Sequence, residues 1–278
     1  MKSLFRLGLI GFLVALAPFA RGQFSVSDDF STLSGNWFNE ITTGTGAFSV
    51  SVPGTEVLSY LDGGLTSATT TGSRDWKNNT GSYTQNWQVQ VDFTFNFTQA
   101  NSQSSSWSLY VGNLADITDN IQGMFQLSTT NLGVASRNIV GLYNTNGSPA
   151  SPPAPEQIWD VASSTVTLQA IYIAATHTLS LAYDPNGSVG GYSFTPITSA
   201  AVDGSVGGLG WGMTNSDSFG FRLAASNSAG STGTSSLTAD QMFADNFAAS
   251  SAIPEPSTYA AIFGALALLA AGWRRRQG

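Results

Sequence analysis

The chain has 278 residues, enough for one sizeable core, and only 10% of them are charged, against ~25% in ordinary soluble domains. It contains no cysteine, which excludes disulfides, thiolate catalysis and Cys-based zinc sites together. Between residues 23 and 250, four basic residues (Arg74, Lys77, Arg137 and Arg222) stand against sixteen acids, a balance of −12 that argues against nucleic acid as a partner. Ser, Thr, Asn and Gly take the place of charge, a surface common in secreted β proteins.

The chain opens MKSLFRLGLIGFLVALAPFARGQ. Lys2 and Arg6 come first, an apolar stretch runs from Leu7 to Ala17, and small residues follow. This is the layout of a secretory signal peptide. Ala20 and Gly22 put small residues at −3 and −1, so cleavage is expected before Gln23, with residues 1–22 removed. As a membrane anchor the apolar run is too short to span comfortably.

The body, 23–250, has the periodicity of strands. In NWQVQVDFTFNFT, Trp87, Val89, Val91, Phe93, Phe95 and Phe97 share one face, and Gln88, Gln90, Asp92, Thr94 and Asn96 share the other. Shorter alternations recur at Phe48-Val50-Val52, Trp107-Leu109-Val111, Val166-Leu168-Ala170-Tyr172, Leu179-Leu181-Tyr183 and Phe219-Phe221-Leu223. DGG (62–64), NTNG (144–147), DPNG (184–187) and VGG (206–208) read as turns between them. TVTLQAIYIAATHTLSLAYDPNG reads as a hairpin turning near Ala175-Thr176-His177. The Pro-rich SPASPPAPE (148–156) is expected to be a long surface loop within one domain. Many strands with short turns and little helix predict an all-β, antiparallel sandwich or barrel.

SDDFSTLSGNW (27–37), the middle hairpin and the closing MFADNFAAS (242–250) together resemble the concanavalin A-like jelly roll, including LamG-type and legume-lectin-like domains. The resemblance implies that the closing segment pairs with the opening strand, and such domains often hold a structural calcium. Asp28, Asp29, Asp116, Asp119 and Asp245 offer oxygen ligands for one, or equally serve as caps and turn formers. No other cofactor is expected.

Jelly-roll glycosidases place their acids on one strand as E-x-D-x-(x)-E, and this chain has no such motif. Asp92 stands alone among polar neighbours, and His177, the one histidine, falls in a turn. G-x-S-x-G, H-E-x-x-H and P-loop motifs are absent, so no enzyme activity is expected. Carbohydrate binding calls for aromatic faces with polar groups beside them. Of Trp76, Trp107, Trp159 and Trp211, the candidates for exposed rings are Trp76, in the charged stretch RDWKNN, and Trp159.

The chain ends IPEPSTYAAIFGALALLAAGWRRRQG. Pro254 and Pro256 hold the backbone extended, the apolar run Tyr259 to Trp273 is expected to form a transmembrane helix, and Arg274, Arg275 and Arg276 follow. The order Pro254-Glu255-Pro256-Ser257, apolar helix, arginine cluster resembles the PEP-CTERM sorting signal, here 251–278. The resemblance implies exosortase as a partner, with Pro254, Glu255, Pro256 and Ser257 as its recognition element. It implies a Gram-negative bacterium that makes exopolysaccharide, transient inner-membrane anchoring through the helix, and final residence at the cell surface or in the matrix. The expected function is a non-catalytic sandwich, binding carbohydrate such as exopolysaccharide or serving as a ligand-free structural protein of the envelope. A glycan-cleaving enzyme is the third reading.

Overall fold

The computed structural model describes residues 25–30, 36–50, 57–63, 65–66, 69–76, 81–98, 103–129, 134–150, 156–187, 191–229 and 234–251. Nineteen strands occur among them. One sheet contains β1 (Ser25–Asp28), β3 (Ala47–Val50), β4 (Leu58–Leu61), β8 (Trp87–Phe95), β14 (Thr165–Ile173), β15 (Thr178–Asp184), β16 (Thr195–Ala201) and β19 (Met242–Ser250). A second contains β2 (Trp37–Thr43), β6 (Thr69–Trp76), β7 (Gly81–Ser82), β9 (Ser104–Asn113), β10 (Asn120–Thr129), β11 (Ala135–Thr145), β12 (Ser148–Pro149), β13 (Glu156–Ile158) and β17 (Ser218–Ser228). β5 (Leu65–Thr66) and β18 (Thr234–Ser235) form a separate two-stranded pair.

The eight-stranded sheet runs β16-β15-β14-β8-β19-β4-β3, with β1 also on β19, and the nine-stranded sheet runs β12-β11-β10-β9-β17-β6-β2. Every pairing is antiparallel. The chain therefore folds as an antiparallel β-sandwich. Strands from before and after the Pro-rich stretch interleave in both sheets: β8 lies beside β14, and β9 beside β17. Both ends of that stretch are in strands, β12 (Ser148–Pro149) within it and β13 beginning at its last residue, Glu156, and both pair with β11.

The alternation in β8 places Trp87, Val89, Val91, Phe93 and Phe95 inside. They meet the inward rows of the other sheet, with Phe93 stacked on Trp107 at 5.4 Å and Trp87 against Phe219 and Phe221. Each such ring buries on the order of 150–250 Å², a large share of the core these two sheets enclose. The sequence expectation is modified in one respect. Asp92 and Thr94, on the outward row, are buried too. Gly187, after β15, lies close over Thr165 and the Asp92 carboxylate, so part of that outer face is covered.

β19 closes the sheet as the resemblance implied. Its second half pairs with β1, from Ser25↔Ser250 to Asp28↔Phe247. Its first half pairs with β4. Between the two lies a bulge at Asn246, whose φ is 52°. The Asn246 side chain donates to Asp92 Oδ2 at 2.9 Å.

The expected transmembrane helix is corrected. Among the described residues there is no helix, and none long and apolar enough to cross a membrane. The segment on which it was placed, Tyr259 to Trp273, lies outside the described residues, as do the signal peptide (1–22) and Pro254, Glu255, Pro256, Ser257, Arg274, Arg275 and Arg276. Physically, fifteen residues make ~22 Å of helix against a hydrocarbon core of ~30 Å. The membrane contact and the transient inner-membrane anchoring that rested on this helix fall with it.

Candidate functional site

The outward face of the nine-stranded sheet is built from alternate residues of β6, β17, β9 and β10, whose inward neighbours are the core. Register makes a continuous row across it: Asp75, Arg222, Tyr110, Gln122. The next row is Ser73, Ala224, Ser108, Met124. The one after is Thr71, Ser226, Ser106, Gln126. Small side chains in the middle of these rows leave a cavity of about 370 Å³, bordered by Ile41 on β2 and by Tyr110 and Gln122 on the opposite flank.

Arg222 is held in this groove by Asp75, with Nε 2.5 Å from Oδ1 and an NH2 donating to Oδ2 at 3.3 Å. The fork geometry fixes the guanidinium plane beside Tyr110. Burial pushes the Tyr110 hydroxyl above its ordinary pKa, against the pull of the Arg222 charge and a hydrogen bond from Ser108. It therefore stays a neutral donor. Gln122 donates to Ser108 Oγ at 2.9 Å, and Gln126 to Ser104 Oγ at 2.9 Å. The groove thus combines one aromatic ring, one oriented cation, one amide and several hydroxyls. That set can hydrogen-bond hydroxyl groups and cover an apolar ring face.

Sequence reasoning did not single out Tyr110, Gln122 or Arg222. The available signal was the alternation SSSWSLYVGN, in which Trp107, Leu109 and Val111 inside imply Ser106, Ser108 and Tyr110 outside.

The tryptophan candidates separate. Trp76 is corrected: it is 4% exposed, packed edge-on to Trp37 at 4.9 Å and against Phe247 at 4.8 Å. It offers no face to a sugar. On β6 the inward row is Arg74 and Trp76, while Asp75 points out to Arg222, so the charges flanking the ring do not mark its exposure. Trp107 and Trp211 are also buried. Trp159 is 62% exposed, just past β13.

His177 carries φ 48° in its turn, stacks on Tyr83 at 4.4 Å and lies 2.8 Å from the Tyr172 hydroxyl. That hydroxyl donates to the Tyr83 carbonyl at 3.0 Å, which assigns the proton to Nδ1 of His177. The acids are committed to the scaffold. Asp92 accepts from Thr167 and Asn246, Asp184 from the amides of Asn186 and Ser193, and Asp217 from Thr214.

The suggested calcium ligands do not come together. Asp28 accepts from Trp37, Asp116 from Thr118, Asp119 from the Asn146 amide and Asp245 from the Asn246 amide. Among the described residues no group of three or more His, Cys, Asp or Glu is placed to hold a metal ion. Asp116 and Asp245 accept from groups one or two residues on, as turn-capping carboxylates do.

Residues 252–276 match the model of the PEP-CTERM protein-sorting motif. No curated protein matches the chain. Among solved structures, the chain is similar to peanut lectin bound to a nine-residue peptide, at 13% identity, covering 82% of this chain and 97% of that one, TM-score 0.48. It is similar to winged bean acidic lectin complexed with methyl-α-D-galactose, at 12% identity, covering 82% and 98%, TM-score 0.49. It is also similar to SO2946 of Shewanella oneidensis MR-1, a protein of unknown function, at 11% identity, covering 86% and 91%, TM-score 0.46.

Proposed function

We propose that this chain, which carries a PEP-CTERM sorting motif after a non-catalytic β-sandwich, is exported, processed by exosortase, and placed at the cell surface or in the matrix to bind carbohydrate. The observation that carries the binding half is the Tyr110 groove. An aromatic ring, a fixed guanidinium, the Gln122 amide and the hydroxyls of Thr71, Ser73, Ser106, Ser108 and Ser226 border a cavity of about 370 Å³. The solved lectin that binds methyl-α-D-galactose is similar in fold and does not name this chain's sugar.

Glycan-array binding of the purified full chain tests it. Selective binding that Tyr110→Ala abolishes, with the far-UV spectrum unchanged, supports the reading. Silence from a folded sample sinks it for the glycans on the array. The sorting half is tested in the producing cell: replacing Pro254 and Glu255 by Ala is expected to leave the chain at its unprocessed size, and processing at the normal rate would refute it.

A second reading, a ligand-free structural protein, draws on the hydroxyl row Ser228, Ser104, Ser128, Ser136 across the same face. Such a polar ladder needs no ligand to be stable. It becomes the leading reading if the array is silent.

A further inference from the structure

The Tyr110 groove has two unlike ends. One is marked by the row Asp75, Arg222, Tyr110, Gln122. Two residues beyond Tyr110 on β9 stands Gly112, two residues before Arg222 on β17 stands Gly220, and these glycines are register partners on the same outward face. Neither is bare. A Cβ on Gly220 would meet Leu114 Cδ1 at 3.0 Å, and a Cβ on Gly112 would meet Ile117 Cδ1 at 3.0 Å. The connection from β9 to β10 thus lays two aliphatic side chains side by side over the outer surface. Backbone bonds fix it there: the Leu114 amide donates to the Ser218 carbonyl at 3.0 Å, and the Asn113 amide to the Asp119 carbonyl at 2.9 Å. Leu114 is 41% exposed and Ile117 36%, so both stand on the sheet and outside the core.

In the other direction the face is low. From Tyr110 back along β9 the outward residues are Ser108, Ser106 and Ser104, and their partners on β17 are Ala224, Ser226 and Ser228. No outward side chain on either strand in that direction is larger than serine. This floor continues for six residues past Tyr110, ~20 Å at the rise of a strand. Among the described residues the groove is therefore stopped at Leu114 and Ile117 and runs on over hydroxyls at its far side.

The groove is also neutral. Arg222 is the one charged side chain bordering the cavity, and Asp75 already matches it through the fork. An anionic sugar would find its counter-charge taken, and a cationic one would meet the guanidinium. The donors of Arg222 that the fork leaves over suit a sugar hydroxyl.

We infer that this groove recognises the terminal unit of a neutral, linear glycan, seated against Tyr110 and Arg222 with Leu114 and Ile117 as the stop, and with the rest of the chain lying over the serine floor. The inference rests on the carbohydrate reading of the same groove and adds which part of the polymer is held.

The test counts proteins per glycan molecule. The purified full chain is titrated by calorimetry with size-fractionated pullulan, linear dextran and mixed-linkage β-glucan, and with maltotriose, isomaltotriose and cellotriose. Recognition of a chain end gives one protein per molecule for trisaccharide and polymer alike, with affinities per molecule within ~3-fold of each other. Recognition of chain interiors gives several proteins per polymer, rising with its length. Tyr110→Ala is expected to weaken binding by ~10-fold or more. Leu114→Ala combined with Ile117→Ala removes the stop and is expected to raise the number bound per polymer above one. Near-UV circular dichroism of each variant guards against misfolding. Several wild-type proteins per polymer overturn the inference and leave carbohydrate binding standing. A count that stays at one in the double variant also overturns it. Full affinity in Tyr110→Ala, or silence with every probe from a folded sample, overturns this inference and the carbohydrate reading of the groove together for these glycans.

Discussion

The carboxylate of Asp28 accepts the indole N–H of Trp37 at 2.9 Å and, with its other oxygen, the backbone amide of Phe30 at 2.8 Å. Phe30 sits at φ 54° and stacks on Trp37 at 5.9 Å, so three residues of the opening segment lock one another. All three are buried. Asp28→Ala leaves an indole N–H and an amide inside without an acceptor. We expect a loss of ~1–3 kcal/mol in urea unfolding. A change within error would show that water replaces the carboxylate at no cost.

Asp62, Asn227 and Ser105 form a buried polar chain between the sheets. Asn227 donates to Asp62, Ser105 donates to Asn227 at 2.7 Å, and the Leu237 amide donates to the other Asp62 oxygen at 3.1 Å. Asn227 is fully buried. Asn227→Ala removes a donor to a buried carboxylate, and the expected cost is again ~1–3 kcal/mol, with the upper end favoured because the acceptor is charged. Asp62→Asn in the same background should recover part of it, and chemical denaturation of the two single variants and the double variant reads this coupling directly.

Gly72 lies on the inward row of β6, where an added Cβ would come within 2.8 Å of both the Phe48 and Tyr60 rings. Phe48 and Tyr60 are themselves packed edge-on at 5.3 Å, so neither ring can swing away freely. Gly72→Ala should destabilise by ~1–3 kcal/mol through overpacking, despite the better strand propensity of alanine. A rise in melting temperature would refute the close packing.

Burial raises the pKa of Tyr60, Tyr143 and Tyr172 above the ordinary tyrosine value of 10.0. The unfolded chain releases these protons near pH 10, while the folded chain holds them. Their stabilising share is therefore complete below about pH 10 and is lost as pH rises toward the raised values. Melting temperature should stay flat toward pH 10 and fall above it. Phenolate absorbance of these tyrosines should appear together with loss of the near-UV signal. Phenolate appearing near pH 10 with the fold intact would contradict the burial.

Much of this fold is legible in the sequence. The strict alternation from Trp87, the Phe219-Phe221-Leu223 run, and the turn at NTNG are all found, the last with Asn146 at φ 51° and Gly147 at φ 74°. Local period and turn chemistry carry that information. β10 and β11 show no clear alternation in the sequence, because Gly123 and Gly141 interrupt their apolar rows. Those glycines admit Leu168 and Leu181 across Gly123, and Ile197 across Gly141. The charges around Trp76 suggest exposure, whereas Arg74 points inward beside it and ends near Glu40. The Tyr110 groove is not local. It depends on which strands lie side by side, β6 with β17 and β9 with β17 and β10, and no short stretch of sequence states that order.

β19 sits between β8 and β4, pairs with β1 as well, and ends one residue before the last described position. The eight-stranded sheet cannot close around its centre until residues 242–250 are available. Contacts of such long sequence separation are slow to form, because most of the chain must be looped before they reward it. A chain released from its N-terminal end therefore leaves this sheet unfinished until the residues just before the sorting motif at 252–276 are available. Removing β19 would leave β1, β4 and β8 without their shared partner, an unfinished sandwich exposed to proteases.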